Sequence, residues 1–177
     1  RMKALALATV LGPVTAFAQA SATGETTPIP SGPTSANDTA IWVNPLDASK
    51  SLIFGTDQLG GGLYAYRLDG AQRAFAPGLT RAVDVRHRVP MFGGFTDVVL
   101  SVGTNGAFRL LRADESGALQ ALDQSPTLTG LTANAGALYF NPRTGQLSVF
   151  ISNFAGLLRQ WVVFDDGQGF LATSLAR

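Results

Sequence analysis

The feature of this sequence that most constrains its fold is a pattern that occurs three times. Each copy is an apolar strand, a glycine-containing turn, a second apolar or alternating strand, and then an aspartate followed by a further turn. The copies span residues 51–70, 97–114 and 148–165. Their turn glycines recur at roughly 45 to 50 residues, which is the repeat length of four-stranded propeller blades: Gly62, Gly106 and Gly156. We expect positive φ at these glycines, because glycine has no Cβ to clash there.

The stretches between the hairpins supply the other strands of each unit. Strands are predicted at residues 40–43, 82–86 and 137–140, and turns at residues 44–47 and 141–145. The 20 glycines and nine prolines agree with many turns, and long helical patterns are missing outside the leader. The sequence therefore predicts an all-β fold, a partial β-propeller of about three four-stranded blades. A β-sandwich, which also uses short strands and turns, is the alternative.

Three blades do not close a ring, since propellers usually have four to eight. A three-bladed arc leaves two blade faces open, and apolar surface of that kind is usually covered by a partner. We therefore expect either that the chain is part of a longer protein, or that a second propeller half or a catalytic domain packs against it.

Composition excludes several kinds of site and partner. With no cysteine, disulfides, thiolate metal sites and cysteine nucleophiles are excluded. A Ser-His-Asp triad would have to use the single histidine, His87, which we interpret as a strand-end or loop residue. A net charge of +1 gives no field that would favour nucleic acid or an anionic membrane surface as a partner.

The first 20 residues have the pattern of a secretory signal peptide. A basic start is followed by an apolar run over residues 4–16 and by small-x-small cleavage patterns within residues 16–20. The run is too short and too interrupted for a membrane span, which needs about 20 apolar residues. We therefore predict a signal peptide at residues 1–20, a linker at 21–36, and a secreted or periplasmic protein.

The segment Asn37-Asp38-Thr39-Ala40-Ile41-Trp42-Val43-Asn44-Pro45 resembles the opening of β-propeller phytases, which begin their propeller with Asp-Asp-Pro-Ala-Ile-Trp. The resemblance continues through residues 49–57, 61–66, 68–70, 83–86, 92–94, 141–145, 160–161 and 165–169. It covers residues 37–177 and matches about the first half of the family's six-bladed domain. The chain is also similar to the incomplete N-terminal domain that some members of the family carry ahead of a complete one.

The resemblance implies an activity and a cofactor. In that family, acidic side chains at one end of the central channel hold calcium ions, which neutralise the phosphates of phytate (inositol hexakisphosphate) and activate a water. Carried over residue by residue, it implies Asn37, Asp38 and Asp84 as metal ligands. From the residues alone, Asp38 and Asp84 are also interpreted as turn, cap or strand-end carboxylates, and Asp57 as a turn residue.

The family's phosphate-binding positions are occupied by other residues here. Its Lys-Lys pair falls at Gln58-Leu59, its arginine near Thr104-Asn105, its channel tyrosine near Asn134, and its Lys-Glu pair at Phe154-Ala155. Catalytic and substrate-binding residues are therefore not assigned, and we expect the chain by itself to hydrolyse phytate weakly or not at all. The alternatives are a non-catalytic propeller module that assists a neighbouring catalytic domain, and a general binding propeller.

Overall fold

The computed structural model describes residues 22–78, 80–114 and 116–177, so the predicted signal peptide lies outside the described residues. In these ranges the chain forms β-strands and one three-residue 3-10 helix, Ala48–Lys50, and the predicted all-β class is confirmed. No described helix has the length and hydropathy needed to cross a membrane.

The strands form three antiparallel sheets, which we call the first, second and third blades. The first blade contains β1 (Ala36–Trp42), β2 (Leu52–Asp57), β3 (Gly62–Arg67) and β4 (Gln72–Pro77). The second contains β5 (Ala82–Met91), β6 (Gly94–Val102), β7 (Ala107–Ala113) and β8 (Leu119–Ala121), with the short β9 (Thr127–Leu128) also paired to β7. The third contains β10 (Ala133–Asn141), β11 (Gln146–Asn153), β12 (Leu158–Asp165) and β13 (Leu171–Leu175). Within each blade the strands follow one another in chain order.

The first strands of the blades lie side by side, and this makes the three sheets an arc. Strand β5 packs between β1 and β10, so these three strands form the inner side of the arc. Each sheet stacks on the next, and three stacked sheets exclude the two-sheet sandwich that the sequence left as an alternative. The predicted partial β-propeller is confirmed.

The core lies between the blades, because alternate residues of a strand point to opposite faces. In β6, Val99 belongs to the cluster shared with the first blade, while Val98 and Leu100 belong to the cluster shared with the third. The first cluster contains Trp42, Leu52, Phe54, Leu63, Ala65, Val83, Val85, Val99, Leu111 and Ala113. The second is larger and includes Phe108, Leu110, Leu138, Leu147, Val149, Ile151 and Trp161.

One turn glycine differs from the prediction. Gly106 and Gly156 have φ of 76° and 81°, as expected, but Gly62 does not have positive φ and is the first residue of β3. The left-handed residue of that turn is Gly61, with φ of 84°. Gly62 is needed for a different reason, since a Cβ there would lie 1.9 Å from the ring of Phe75 on β4.

Residues 22–35 form an arm along the outer face of the first blade. At one end of β3 the Thr27 amide donates to the Gly70 carbonyl at 2.9 Å, and at the other end the Gln58 amide donates to the Ser35 carbonyl at 3.0 Å. The β3 side chains that face the arm are those of Tyr64 and Tyr66, because Leu63 and Ala65 point to the second blade. Both tyrosines are buried.

Candidate functional site

The three inner strands begin at the same end of the arc, which we call the rim. Hydrogen bonds join residues at the starts of β1, β5 and β10 there, and the β2–β3, β6–β7 and β11–β12 turns lie at that end because the strands are antiparallel. The positions that the resemblance marks for phosphate binding therefore all lie at the rim: Gln58-Leu59, Thr104-Asn105, Asn134 and Phe154-Ala155.

Arg81, which precedes β5, is the central side chain of the rim. Its Nη1 donates to Gln58 Oε1 at 2.7 Å, its Nε donates to the Asn134 carbonyl at 3.1 Å, and its Nη2 donates to Asn134 Oδ1 at 3.3 Å. The guanidinium carbon also lies 4.9 Å from the centre of the Phe154 ring. One arginine thus contacts side chains from the first and third blades.

Sequence reasoning missed Arg81. Its partners Gln58 and Asn134 are 23 and 53 residues away, so no local motif marks it. The position of Arg81 in the repeat could have indicated it, because Arg81 directly precedes β5 and Asn37 and Asp38 lie at the start of β1.

The predicted ligand Asp38 joins the first blade to the second. Its Oδ2 accepts the Val83 amide of β5 at 3.0 Å, and its Oδ1 accepts the Thr39 amide at 2.9 Å. The neighbouring predicted ligand, Asn37, uses its Nδ2 to donate to the Arg81 carbonyl at 2.9 Å. Both side chains therefore fasten the start of β1 to β5.

The predicted ligand Asp84 does the same at the next junction. Its Oδ2 accepts the Leu138 amide of β10 at 2.7 Å, and its Oδ1 accepts the Val85 amide at 2.8 Å. Arg86 lies 3.8 Å from the same Oδ2. Asp38 and Asp84 thus have equivalent positions, each accepting a backbone N–H from the inner strand of the following blade.

These contacts decide how well the described residues fit a calcium ion. Calcium takes six to eight oxygen ligands, commonly from several carboxylates. No three Asp, Glu, His or Cys side chains come together as a potential metal site within residues 22–78, 80–114 and 116–177. Each oxygen of Asp38 and Asp84 already accepts a backbone N–H. The described residues alone do not fit a calcium ion, and the metal ligands stay a prediction.

Asp57 has a larger structural role than the predicted turn residue. It is 1 % exposed and accepts the hydroxyls of Ser31 and Ser35 in the arm as well as the amides of Leu59 and Gly60 in its turn. Burial by itself raises the pKa of the Asp57 carboxyl. The hydrogen bonds outweigh burial and hold the pKa below its usual range, with that from Ser35 the largest of them.

A second polar cluster lies at the opposite end of the arc. Asp97 Oδ2 accepts Trp42 Nε1 at 2.7 Å and lies 3.3 Å from His87 Nδ1, while Asp97 Oδ1 accepts the Arg88 amide at 2.7 Å. Arg88 has φ of 54°, in a β-bulge of β5. His87 is therefore a strand residue beside a bulge, with an aspartate partner.

Comparison with known proteins identifies the family of this chain. A family model described as "Phytase" matches residues 4–177. A "3-phytase" of Bacillus subtilis (strain 168) is 29% identical over 161 residues, which cover 86% of this chain and 42% of that protein. The chain therefore spans less than half the length of that relative. The inner-strand arc and the match over nearly the whole sequence lead to one conclusion: the chain belongs to the phytase family of β-propeller proteins.

Proposed function

We propose that this chain takes part in the hydrolysis of phosphate from phytate or another inositol phosphate, and that it binds the phosphate groups at the rim. The observation that supports the proposal most directly is the convergence of the family's phosphate-binding positions on that one end of the arc. The family match supports the class of reaction. By itself the chain hydrolyses phytate weakly or not at all.

Calcium is the cofactor that we propose for this activity. When bound, it would neutralise phosphate charge and activate a water for attack on phosphorus. Of the residues here, Asp38, Asn37 and Asp84 are the proposed ligands, although each also serves a blade junction. Because these three groups supply fewer than six oxygens, further carboxylates would have to come from outside the described residues.

The test is phosphate release from phytate by the purified chain, measured in calcium and in a chelator. We expect at most slow release in calcium and none in the chelator. Calcium titration followed by calorimetry and by thermal unfolding separates the cofactor from the activity. Binding that disappears in Asp38→Asn would support the proposed ligand set. Release that is equal with and without the chelator would contradict the calcium proposal.

A second candidate function is a non-catalytic module that assists a catalytic domain. The observation that favours it is that Gln58, Asn134 and Phe154 stand where the family has two lysines and a tyrosine among its phosphate contacts. We would add the purified chain to the 3-phytase of Bacillus subtilis and measure phosphate release. Faster release in the mixture, with none from the chain alone, would favour the module. No change would remove this candidate for that catalytic partner.

We also propose that the protein is exported, on the basis of the leader pattern in residues 1–20. Expression of the full chain followed by fractionation and N-terminal sequencing tests this. Recovery of a chain that begins near Ser21 in the periplasm or medium would support export. Recovery of the uncleaved chain in the cytoplasm would contradict it.

A further inference from the structure

We propose that Arg81 is an anion-binding residue at the rim and that its ligand is a phosphate group of an inositol phosphate. The identity of this ligand rests on the proposed function. The anion site itself rests on the position, hydrogen bonds and charge of Arg81. The resemblance does not mark this residue as a phosphate contact, and its side chain is not among the proposed calcium ligands.

The guanidinium of Arg81 is held in place and still has donors to offer. A guanidinium has five N–H groups. Three of them donate to Gln58 and Asn134, at 2.7, 3.1 and 3.3 Å. This leaves one N–H on each terminal nitrogen. Two such donors can reach two oxygens of one phosphate, a pairing for which arginine is well suited.

The positive charge of Arg81 is not neutralised within the described residues. Its hydrogen-bond acceptors are the side-chain oxygen of Gln58 and the side-chain and backbone oxygens of Asn134, all of which are uncharged. The ring of Phe154 also lies next to the guanidinium. It forms no ion pair in the described part of the chain. Arg109 is a useful contrast, because Asp123 neutralises it at 2.6 Å. The fixed charge of Arg81 is therefore available to an anion.

The partners of Arg81 add a further argument. Gln58, Asn134 and Phe154 occupy positions at which the family has other phosphate contacts, and here all three contact this one arginine. Three positions that bind phosphate separately in the family thus hold the side chain of Arg81 in this chain. Such a site binds one phosphate group at a time, and its affinity falls as salt screens the charge.

The experiment is calorimetric titration of inositol hexakisphosphate into the purified full chain, at low salt and with chelator present. We compare wild type with Arg81→Gln, Arg81→Lys and the control Arg143→Gln. Arg143 is exposed in the β10–β11 turn at the opposite end of the arc, so its loss changes net charge equally. We expect about a tenfold or larger loss of affinity in Arg81→Gln, a smaller loss in Arg81→Lys, and less than twofold change in the control.

Three results would overturn the inference. They are no binding by wild type at millimolar ligand, an Arg81→Gln affinity within twofold of wild type, and an equal loss in Arg143→Gln. Thermal unfolding of each variant shows whether it is folded.

A second variant, Gln58→Glu, tests the site without removing the arginine. It places a carboxylate where Oε1 now accepts Nη1 at 2.7 Å, so an ion pair forms and occupies Arg81. We expect binding to fall as in Arg81→Gln while the unfolding temperature is equal or higher. Full binding in Gln58→Glu would contradict the inference even if Arg81→Gln did not fold.

Phosphate release is measured separately so that the two proposals can fail separately. Phosphate release is therefore measured in calcium for the chain alone and for the chain mixed with the 3-phytase of Bacillus subtilis. Binding that depends on Arg81, with no release by the chain alone and no increase over that enzyme in the mixture, would contradict a part in hydrolysis and leave the anion site intact. Release in calcium that is unchanged in Arg81→Gln, together with unchanged binding, would contradict the role of Arg81 and leave the hydrolytic function intact.

Discussion

The outer faces of the first and third blades are built on the same four-stranded plan but differ in what covers them. On the first blade, Tyr64 and Tyr66 are 8 % and 3 % exposed beneath the arm. On the third blade, Tyr139 and Phe164 are 51 % and 44 % exposed. A blade sheet has apolar residues on both faces, so a face that no neighbouring sheet covers needs another cover or stays exposed.

The comparison also shows that polar groups hold each covered face in place. Asp57 fastens the arm to the first blade, while Asp38 and Asp84 fasten the first blade to the second and the second to the third. On β10 the alternation turns Ala137 and Tyr139 to the outer face, and neither carries a carboxylate. The third blade therefore lacks, on this strand, the group that would fasten a following blade.

A matched pair of tyrosine truncations tests whether the two outer faces differ in stability. Tyr66→Ala removes a buried ring, and we expect it to lower the free energy of unfolding by about 3 kcal/mol. Tyr139→Ala removes a half-exposed ring, and we expect less than about 1 kcal/mol. Urea unfolding at equal protein concentration measures both. Equal losses would mean that the arm does not protect the face of the first blade.

The next largest effect tests the group that fastens the arm. Asp57→Ala leaves two hydroxyls and two backbone N–H groups without their acceptor, and we expect a loss of about 2 kcal/mol. Limited proteolysis should then cut within residues 22–35 first. The control is Asp69→Ala, in an exposed turn of the same blade, where we expect less than about 1 kcal/mol. Equal sensitivity of both variants would argue against a clamp at Asp57.

The stability that Asp57 contributes should also depend on pH. The folded pKa of Asp57 lies below its unfolded value of about 3.9, so its contribution is fully present above that value. It is lost as pH falls through the folded pKa. The difference in unfolding free energy between wild type and Asp57→Asn should therefore be constant from pH 7 to 5 and shrink below about pH 4. The pKa values of Asp47 and Asp114 are also lowered by hydrogen bonds in their turns, so these groups add to the acid sensitivity of both proteins. Subtracting the unfolding free energy of Asp57→Asn from that of wild type removes their contribution. A difference at pH 3 that is as large as the difference at pH 7 would contradict this assignment.

The sequence predicted the blades well because their determinants are local. Glycine-containing turns and alternating apolar residues gave three hairpins in the places where the structure has them. The bounds of β5 were less predictable, since the strand continues to Met91 through a bulge at which Arg88 has positive φ. Periodicity alone does not show where an extra residue enters a strand.

The residues of the rim were predicted only where their positions in the sequence resemble those of the phytase family. The resemblance marked Gln58 and Asn134, and the structure brings both to the rim. It could not mark Arg81, because the role of that arginine depends on neighbours from two other blades. The same holds for Asp57, whose role depends on Ser31 and Ser35 of an arm that has no repeat of its own.

The smallest expected effect concerns the open face of the third blade. Leu158 lies on its outer side and is 63 % exposed, so Leu158→Ser should change the free energy of unfolding by less than about 0.5 kcal/mol. It should nevertheless lower the binding of an apolar dye, because it interrupts the apolar surface that Leu158 shares with its sheet. Leu68→Ser is the control, since Leu68 is 53 % exposed in the β3–β4 turn at the other end of the arc. If both substitutions lower dye binding equally, the outer face of the third blade binds the dye no better than an exposed leucine in a turn does, and the two outer faces differ only in burial.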